Sequence, residues 1–305
     1  MTRRPILLLV NPVAGGKPGS GPALHDDPER LEPAALETAL RERGLEVRLH
    51  ALGADDDAGA MARVAADDGA DVVVAGGDGT VSRVATALVA HDVASLGILA
   101  MGSFNNMARG FGIPVTLDAA LDVIGRGEPA LVDAGWVVRA DDEGRPFFEA
   151  AGVGLDAIGF LAAEIAERRG WWRAARALWR GLRMRRTPMR ITLDEVAYRT
   201  GSPAVTVSNG PYHGAGFVVS ADADPTDGTL DVAIFHGMTR LQVIRHFLAV
   251  ARRQERSEPR IRQYRAQRVE IVGTRRALPA HADGESIGRT PVVFEVRPRA
   301  LRVFR

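Results

Sequence analysis

A glycine-rich stretch with one acidic residue, Gly76–Thr80, carries the strongest local chemical signal in the sequence. Its order is Gly-Gly-Asp-Gly-Thr, and it directly follows the apolar run Val72–Ala75. Glycines allow positive φ angles and let a ligand approach the backbone closely. A helix is predicted to start near Val81 with Thr80 as its N-cap, and the first amides of a helix favour an anion. The stretch predicts either a phosphate-binding loop or a tight strand-to-helix turn without a ligand.

Two further loops follow predicted strands in the same way. Asn11–Lys17 follows the first strand, and Met101–Arg109 follows the fourth. Lys17 offers a point charge, Ser103 a hydrogen bond and Arg109 a guanidinium fork to a phosphate. Taken singly, each loop is also explained by a terminated strand or a capping pair. Because the carboxyl ends of parallel strands meet at one edge of a sheet, the three loops together predict a nucleotide site.

The common fingerprints of other enzymes are missing from the sequence. It contains no G-x-x-x-x-G-K-[ST] and no G-x-G-x-x-G at the first helix, which argues against a P-loop and a Rossmann dinucleotide site. It also contains no G-x-S-x-G and no H-E-x-x-H, which argues against a serine hydrolase and a zincin.

Two groups of carboxylates lie in the second half of the chain. Asp283-Gly284-Glu285 supplies two carboxylates on either side of a glycine, a pattern that a solvated turn between strands also explains. His281, close by, is interpreted as a packing or hydrogen-bonding residue. The loop Asp224–Thr229 combines carboxylates and turn carbonyls, the oxygen ligands of hard cations, or it is an ordinary turn capped by Asp227.

Up to about residue 130, short apolar runs alternate with helical patterns, which is typical of a parallel sheet with helices on both faces. The predicted strands are Pro5–Val10, Leu45–Leu49, Asp71–Ala75 and Leu96–Ala100. Two helical faces are recognised, one formed by Leu31, Ala35, Leu36, Ala39 and Leu40, the other by Val81, Val84, Ala85 and Leu88.

After about residue 133 the pattern becomes one of strands separated by turns, which predicts a mainly antiparallel β-sandwich with helical insertions. The predicted strands are Gly135–Arg139, Met189–Val196, Ala204–Val207, Phe217–Ser220, Leu230–Phe235, Arg268–Val272 and Val292–Val296. Helices are predicted over Ala157–Arg186 and Thr239–Arg256. We therefore predict two domains, residues 1–133 and 134–305.

Composition narrows the class of protein. The 305 residues are 46% hydrophobic and 25% charged, which excludes disordered, collagen-like and coiled-coil chains. The apolar run Ile6–Val10 is too short for a transmembrane helix or a signal peptide. The absence of cysteine excludes disulfides and thiolate sites and fits a cytoplasmic protein. A net charge of +1 gives no indication of a nucleic-acid partner.

These motifs resemble the diacylglycerol kinase catalytic-domain family of lipid kinases, which includes the sphingosine and ceramide kinases. The resemblance lies in Asn-Pro-x-x-Gly at residues 11–15, Gly-Gly-Asp-Gly-Thr at 76–80 and Gly-Ser-x-Asn at 102–105. It continues in Val-Ser-Asn-Gly at 207–210, in the acidic loop 224–230 and in His-Ala-Asp-Gly-Glu at 281–285. It implies an α/β first domain like that of NAD kinases, a β-sandwich second domain, and transfer of phosphate from ATP to a lipid hydroxyl with Mg²⁺.

The resemblance also implies the site residues. The residues expected to contact ATP are Asn11, Pro12, Val13, Ala14, Gly15, Gly77, Asp78, Gly79, Thr80, Val81, Ser82, Arg83 and Ser103. Glu285 is expected to be the proton acceptor, with Asp283 as its rival, and a structural Mg²⁺ is expected at Asp224, Asp227 and Thr229.

The sequence departs from the family pattern at several places. Ala14 stands where serine is common, and a threonine common in the family is missing near His50 and Ala51. Asn106 replaces an aspartate that usually takes part in the Mg²⁺ network, which leaves Asp78 and Asp133 as candidate carboxylates.

The expected substrate is a lipid, with diacylglycerol as the first candidate. The enzyme is expected in the cytoplasm, peripherally associated with an anionic membrane surface.

The segment Arg168–Arg190 has nine arginines, three tryptophans and no acidic residue, which predicts an amphipathic helix lying on the membrane. A core helix with a basic outer face, or a nucleic-acid surface, is the alternative. Other interpretations are a kinase for a sphingoid base or phosphatidylglycerol, an NAD kinase-type enzyme, and a non-catalytic basic binding protein. The sequence does not decide between a monomer and a homodimer.

Overall fold

The structure is a computed structural model that describes residues 3–14, 32–89, 91, 93–139, 142–155, 188–214, 216–218, 220–239, 241–243, 245–246 and 258–305. The predicted helix over 157–186 lies outside the described residues, as does most of the one over 239–256. The chain divides into two compact units, residues 1–133 with 299–305 and residues 134–298. The second predicted domain extends to residue 305, whereas the last seven residues belong to the first unit.

The first unit alternates strands and helices. Its strands are β1 (Ile6–Val10), β2 (Val47–Ala51), β3 (Asp71–Gly76) and β4 (Ser95–Ala100). Its helices are α1 (Pro33–Glu42), α2 (Ala58–Asp67), α3 (Asp78–Leu88), α4 (Asn106–Gly110) and α5 (Leu117–Arg126). The strands pair in parallel in the order β2-β1-β3-β4.

Both faces of this sheet are buried. Leu8 and Val73 pack with Leu36 of α1 and Ile124 of α5 in one core. Leu9 alternates with Leu8 along β1, so it points to the opposite face, and it is fully buried there as well. Continuous apolar strands of this kind need helices on both sides, and the predicted α/β fold is confirmed.

The second unit is built from antiparallel strands. The elements from the end of the first unit onward are β5 (Pro129–Arg139), β6 (Asp142–Phe147), β7 (Ala150–Gly154), β8 (Met189–Leu193), β9 (Val196–Thr200), β10 (Ala204–Ser208), β11 (Tyr212–His213), β12 (Phe217–Val218), β13 (Leu230–Phe235), β14 (Ile261–Ala266), β15 (Arg268–Gly273), β16 (Pro279–Ala282), β17 (Glu285–Arg289) and β18 (Val292–Phe304). One sheet has the order β14-β13-β10-β7-β16-β17, and a second layer contains β18-β15-β8-β9.

A single apolar core joins these two layers. Val153, Val205 and Val232 of the first sheet share it with Ile191 and Phe294 of the second. The predicted sandwich is thereby confirmed. The strand predicted over Met189–Val196 is wrong in its length.

A hairpin replaces that single strand because Asp194 adopts φ 51° and turns the chain from β8 into β9. Its carboxylate Oδ1 accepts the backbone N–H groups of Gln267 and Arg268, each at 2.9 Å, and fixes the turn.

The C-terminal residues are fastened to the first unit. Arg302 and Val303 of β18 pair in parallel with β4. Asp133, one of the candidate metal carboxylates, is buried in β5, and its Oδ1 accepts the backbone N–H of Arg299 at 2.7 Å. This contact gives Asp133 a structural role at the chain terminus.

Within the described part of the chain, no helix has both the length and the apolar character needed to cross a membrane.

Candidate functional site

Three loops leave the same edge of the first unit's sheet. Because β1, β3 and β4 are parallel neighbours, Asn11, Gly77 and Met101 follow strand ends that lie side by side. The Asn11 side-chain amide donates to Thr80 Oγ1 at 3.0 Å and ties the first loop to α3. Met101 N–H donates to Gly76 carbonyl at 3.0 Å and ties the third loop to the second. The three predicted loops are therefore brought together.

Two glycines meet where the second and third loops touch. A Cβ on Gly102 would lie 2.6 Å from Gly77 Cα, a distance that no side chain tolerates. Asn105, at φ 51°, holds Gly102 on both sides: its Oδ1 accepts the Gly102 N–H at 2.8 Å, and its Nδ2 donates to the Gly102 carbonyl at 2.9 Å. The result is a bare backbone surface at the start of α3, suited to an anionic group.

Helix α3 begins at Asp78 rather than near Val81, and its N-cap is Gly77 rather than Thr80. Thr80 and Val81 are buried, and their N–H groups already donate to the Gly77 carbonyl. The backbone N–H groups of the first turn, at Asp78 and Gly79, are those that a helix leaves for an external acceptor.

Asp78 braces two helices. Its Oδ1 accepts the Met107 N–H at the start of α4, at 3.3 Å. Burial raises the pKa of the Asp78 carboxyl, whereas the amides of residues 105–107 and the Arg109 guanidinium act in the opposite direction. A role for Asp78 toward a metal stays a prediction.

The other predicted nucleotide contacts differ in exposure. Side chains that reach the surface are those of Pro12, Val13, Arg83 and Ser103, and those of Ala14 and Ser82 are half-buried. Gly15 and Lys17 lie outside the described residues.

In the second unit, the predicted turn Asp283-Gly284-Glu285, hereafter the acid turn, is hydrogen-bonded to the residues at the start of β7. Asp283, at φ 45°, accepts three backbone N–H groups: Oδ2 from Phe148 at 2.7 Å, and Oδ1 from Glu149 at 2.9 Å and Ala150 at 3.1 Å. Burial raises the pKa of the Asp283 carboxyl to about 6, against the effect of these N–H groups and of the nearby His213. Asp283 is therefore the anchor of its turn.

Glu285 has the opposite environment. Its side chain is 74% exposed, and its Oε2 accepts a hydrogen bond from Arg145 Nη1 at 2.8 Å. Of the two carboxylates of the turn, Glu285 is the one accessible to a substrate.

Several residues around the turn were not singled out for a role from the sequence. Asn209 of the Val-Ser-Asn-Gly motif is buried and donates from Nδ2 to the Phe148 carbonyl at 3.2 Å. Glu149 Oε2 accepts the Gly214 N–H at 3.2 Å. Asn209 could be found from the sequence because it belongs to the Val-Ser-Asn-Gly motif. Glu149, His213 and Arg145 belong to no such motif, and only the fold of the second unit brings them near the turn.

The acidic loop forms two side-chain-capped turns. Asp224 Oδ1 accepts the N–H and hydroxyl of Thr226, and Asp227 Oδ1 accepts those of Thr229, at 2.6–3.0 Å. Arg265 lies 3.7 Å from Asp227 and 3.6 Å from Asp231. Among the described residues, no three acidic, histidine or cysteine side chains cluster as a metal site. The geometry favours the ordinary-turn alternative, and Mg²⁺ at this loop stays a prediction.

Both halves of the chain match described domains. Residues 5–137 match the diacylglycerol kinase catalytic domain, and residues 153–305 match the YegS C-terminal NAD kinase beta sandwich-like domain. The diacylglycerol kinase of Mycobacterium tuberculosis is 28% identical over 311 residues, covering 98% of this chain and 94% of the relative. The probable lipid kinase YegS-like of Enterobacter sp. is 26% identical, covering 87% and 88%.

Solved structures show the same fold. A putative diacylglycerol kinase from Bacillus anthracis aligns with a TM-score of 0.75 at 22% identity, covering 100% of this chain and 98% of that one. Yeast NADH kinase complexed with NADH aligns with a TM-score of 0.52 at 12% identity, covering 99% and 83%.

Gly102→Ala should weaken ATP binding at least about tenfold, because the new Cβ must push the Gly77 loop away and distort the backbone surface. Calorimetric titration with ATP measures this. Gly53→Ala is the matched control, since its Cβ would make only ordinary contact, 3.6 Å from Asp56. Equal affinities in all three proteins would contradict a phosphate site here.

Asp283→Asn should change how stability depends on pH. Because the pKa of Asp283 is raised in the folded state, the protonated carboxyl stabilises the fold. This contribution to the free energy of unfolding is fully present below about pH 4 and is lost as the pH rises through about 6. The free energy of unfolding of the wild type should therefore fall relative to Asp283→Asn over this range, by about 3 kcal/mol at most. Urea unfolding at several pH values measures it.

Ser286→Ala alters β17 directly after the turn without removing a carboxyl, and its free energy of unfolding should depend on pH as that of the wild type does. A pH-independent difference between wild type and Asp283→Asn would contradict the raised pKa of the Asp283 carboxyl.

Proposed function

Because the chain belongs to the diacylglycerol kinase catalytic-domain family of lipid kinases, we propose that it transfers the γ-phosphoryl group of ATP to a lipid hydroxyl, with diacylglycerol as the first substrate. The observation that carries the proposal is the contact between Gly77 and Gly102, which leaves main chain where phosphates would bind. The name of the Mycobacterium tuberculosis relative, which aligns with 98% of the chain, supports diacylglycerol.

The nucleotide is assigned to the first unit. Asn11–Gly15, Gly77–Arg83 and Ser103 are the proposed contacts, with backbone N–H groups at the start of α3 directed to the phosphates. When bound with ATP, Mg²⁺ would offset the charge of the phosphates. Phosphoryl transfer depends mainly on such positioning and charge stabilisation, which fits a loop built from glycines and amides.

Glu285 is assigned as the general base that accepts the proton of the lipid hydroxyl. The lipid hydroxyl oxygen forms a bond to the γ-phosphorus, ADP leaves, and the hydroxyl proton passes to the exposed Glu285 carboxylate. Arg145 orients that carboxylate in the absence of substrate. Asp283, whose two oxygens are bonded to amides, holds the turn in place.

A different lipid acceptor is the second candidate. The YegS-like relative is named only as a probable lipid kinase, which supports a hydroxyl-bearing lipid without specifying its head group. A sphingoid base and phosphatidylglycerol therefore belong in the same substrate panel, and NAD serves as the soluble alternative acceptor.

The decisive assay combines purified protein, radiolabelled ATP and this panel in mixed micelles, followed by chromatography of the products. Diacylglycerol should be labelled, and Glu285→Gln should lower turnover by at least about a hundredfold because the general base is lost. Glu195→Gln, at the exposed turn after β8, is the matched control and should keep full turnover. Labelling of no lipid would reject the proposed function, and near-normal turnover of Glu285→Gln would reject only the base.

We further propose that the enzyme works at an anionic membrane surface through the segment Arg168–Arg190. The proposal rests on its composition, since residues 168–187 lie outside the described part of the chain. Tryptophan favours the membrane interface, and each arginine near anionic head groups contributes about 1 kcal/mol.

Vesicle co-sedimentation tests this attachment. The wild type should pellet with anionic vesicles, less with neutral ones, and high salt should release it. The triple variant Trp171→Ala, Arg173→Glu, Arg176→Glu should lose binding. Arg48→Glu with Arg63→Glu, which reverses two exposed charges of the first unit, is the control. Binding that survives the triple variant would show that another surface attaches the protein.

A further inference from the structure

The hairpin formed by β16 and β17 carries exposed positive charge at the end opposite to the acid turn. Among the described strands, β17 pairs with β16 alone, so it is the edge of its sheet. Four of its five residues are exposed, and Ile287 packs in the core. Glu285 lies at the tip of the hairpin, and Arg289 lies at its open end opposite Pro279. The proposed function uses Glu285 and gives the rest of this strand no role.

Three exposed arginines meet at the open end. We call them the basic cluster: Arg275, Arg276 and Arg289. The Arg289 Nη1 donates to the Ala277 carbonyl at 3.1 Å. The Leu278 N–H donates to Thr290 Oγ1 at 2.9 Å, and the Thr290 N–H donates to the Leu278 carbonyl at 2.8 Å. These bonds hold the loop before β16 against the end of β17, so like charges are kept at one end of the hairpin.

The charge of the basic cluster is not offset locally. Within the described part of the chain, neither Arg275 nor Arg289 forms an ion pair with an acidic side chain. Glu285, the exposed carboxylate of the hairpin, is bonded to Arg145 at 2.8 Å and lies about 13 Å along the strand from Arg289. Because a guanidinium keeps its charge, this surface has an excess of positive charge that an anionic partner can offset.

Protection of the sheet edge explains only part of this charge. Charged residues on an edge strand hinder its pairing with another chain. This accounts for Arg289, which belongs to β17, but not for Arg275 and Arg276, which lie in the loop between β15 and β16. The cluster as a whole therefore indicates an anionic ligand.

We propose that the basic cluster docks the second unit on anionic membranes, with the phosphate groups of anionic phospholipids as its ligands. A guanidinium binds a phosphate through two parallel N–H groups, and a bilayer presents many phosphates to an exposed hairpin edge at once. The consequence for catalysis rests on the proposed function: docking here brings Glu285, on the same hairpin, to the surface that holds the lipid hydroxyl.

Vesicle co-sedimentation without ATP tests the docking. The vesicles contain phosphatidylserine, which is anionic and is not a candidate substrate, or phosphatidylcholine alone. Arg275→Gln with Arg289→Gln should weaken binding to the phosphatidylserine vesicles at least about tenfold, since each arginine near anionic head groups contributes a factor of about five. Arg199→Gln with Arg262→Gln removes two exposed charges from β9 and β14 of the same unit and should bind as the wild type does.

A second measurement locates the contact without removing any charge. The chain has no cysteine, so Ser286→Cys can carry a single environment-sensitive fluorophore on β17. Its emission should shift to the blue with phosphatidylserine vesicles and not with phosphatidylcholine. A label at Val196→Cys, at an exposed position on the hairpin of β8 and β9, should not respond. Arg275→Lys with Arg289→Lys keeps both charges and should keep vesicle binding.

Four results would overturn the inference. They are a wild type that binds no phosphatidylserine vesicles, a double glutamine variant that binds as the wild type does, a label at residue 286 that does not respond, and a label at residue 196 that responds equally. A wild type that binds a duplex oligonucleotide through the same arginines, but no vesicles, would assign the cluster to nucleic acid instead.

The kinase assay separates this proposal from the proposed function. Vesicle binding that depends on the basic cluster, without phosphorylation of any lipid, would support the docking and reject the kinase activity. If a lipid presented in phosphatidylserine vesicles is phosphorylated, the double glutamine variant should lose turnover there while its KM for ATP stays the same. Full turnover of that variant on these vesicles would overturn the docking and leave the kinase activity in place.

Discussion

A carboxylate that accepts three main-chain N–H groups is the interaction on which the acid turn depends. Asp283 joins the end of β16 to the start of β7, and in doing so it fixes the place of Glu285 two residues later. Burial of a charge costs free energy, so the same contact requires hydrogen-bonding neighbours. Asn209, which follows β10, donates to the Phe148 carbonyl, and Gly214, which follows β11, donates to the Glu149 carboxylate, so segments that are distant in sequence converge on this turn.

In the first unit, the proposed phosphate site is formed by main chain rather than by a charged side chain. Phosphates need many donors close together, and side chains would occupy the space that the ligand needs. At the proposed phosphate site, Gly77 and Gly102 present main chain alone, and the Asn105 side chain bonds to both the N–H and the carbonyl of Gly102 and so holds the loop in place. Asp78 and Asn11 connect the loops through hydrogen bonds of their side chains.

Apolar periodicity predicted the strands with strong signals and missed those with weak ones. β1, β3 and β4 are continuous apolar runs, and their prediction is confirmed to within a residue. β7 has the sequence Ala-Ala-Gly-Val-Gly, which has little intrinsic strand preference, yet it is a buried strand between β10 and β16. Its conformation comes from the neighbours with which it pairs.

The sequence alone determined the family, the α/β and sandwich classes, and the motifs at residues 76–80, 102–105 and 283–285, because these depend on residue types and short spacings. Tertiary structure alone decided how the carboxylates divide their roles. Asp283 and Glu285 look equivalent in the sequence, but pairing of β16 with β7 places the first against three amides and leaves the second exposed. Tertiary structure likewise brings the N–H of Arg299, far along the chain, to Asp133 Oδ1, whereas a role of Asp133 toward a metal stays a prediction. Such contacts join residues more than a hundred positions apart, and no local pattern records them.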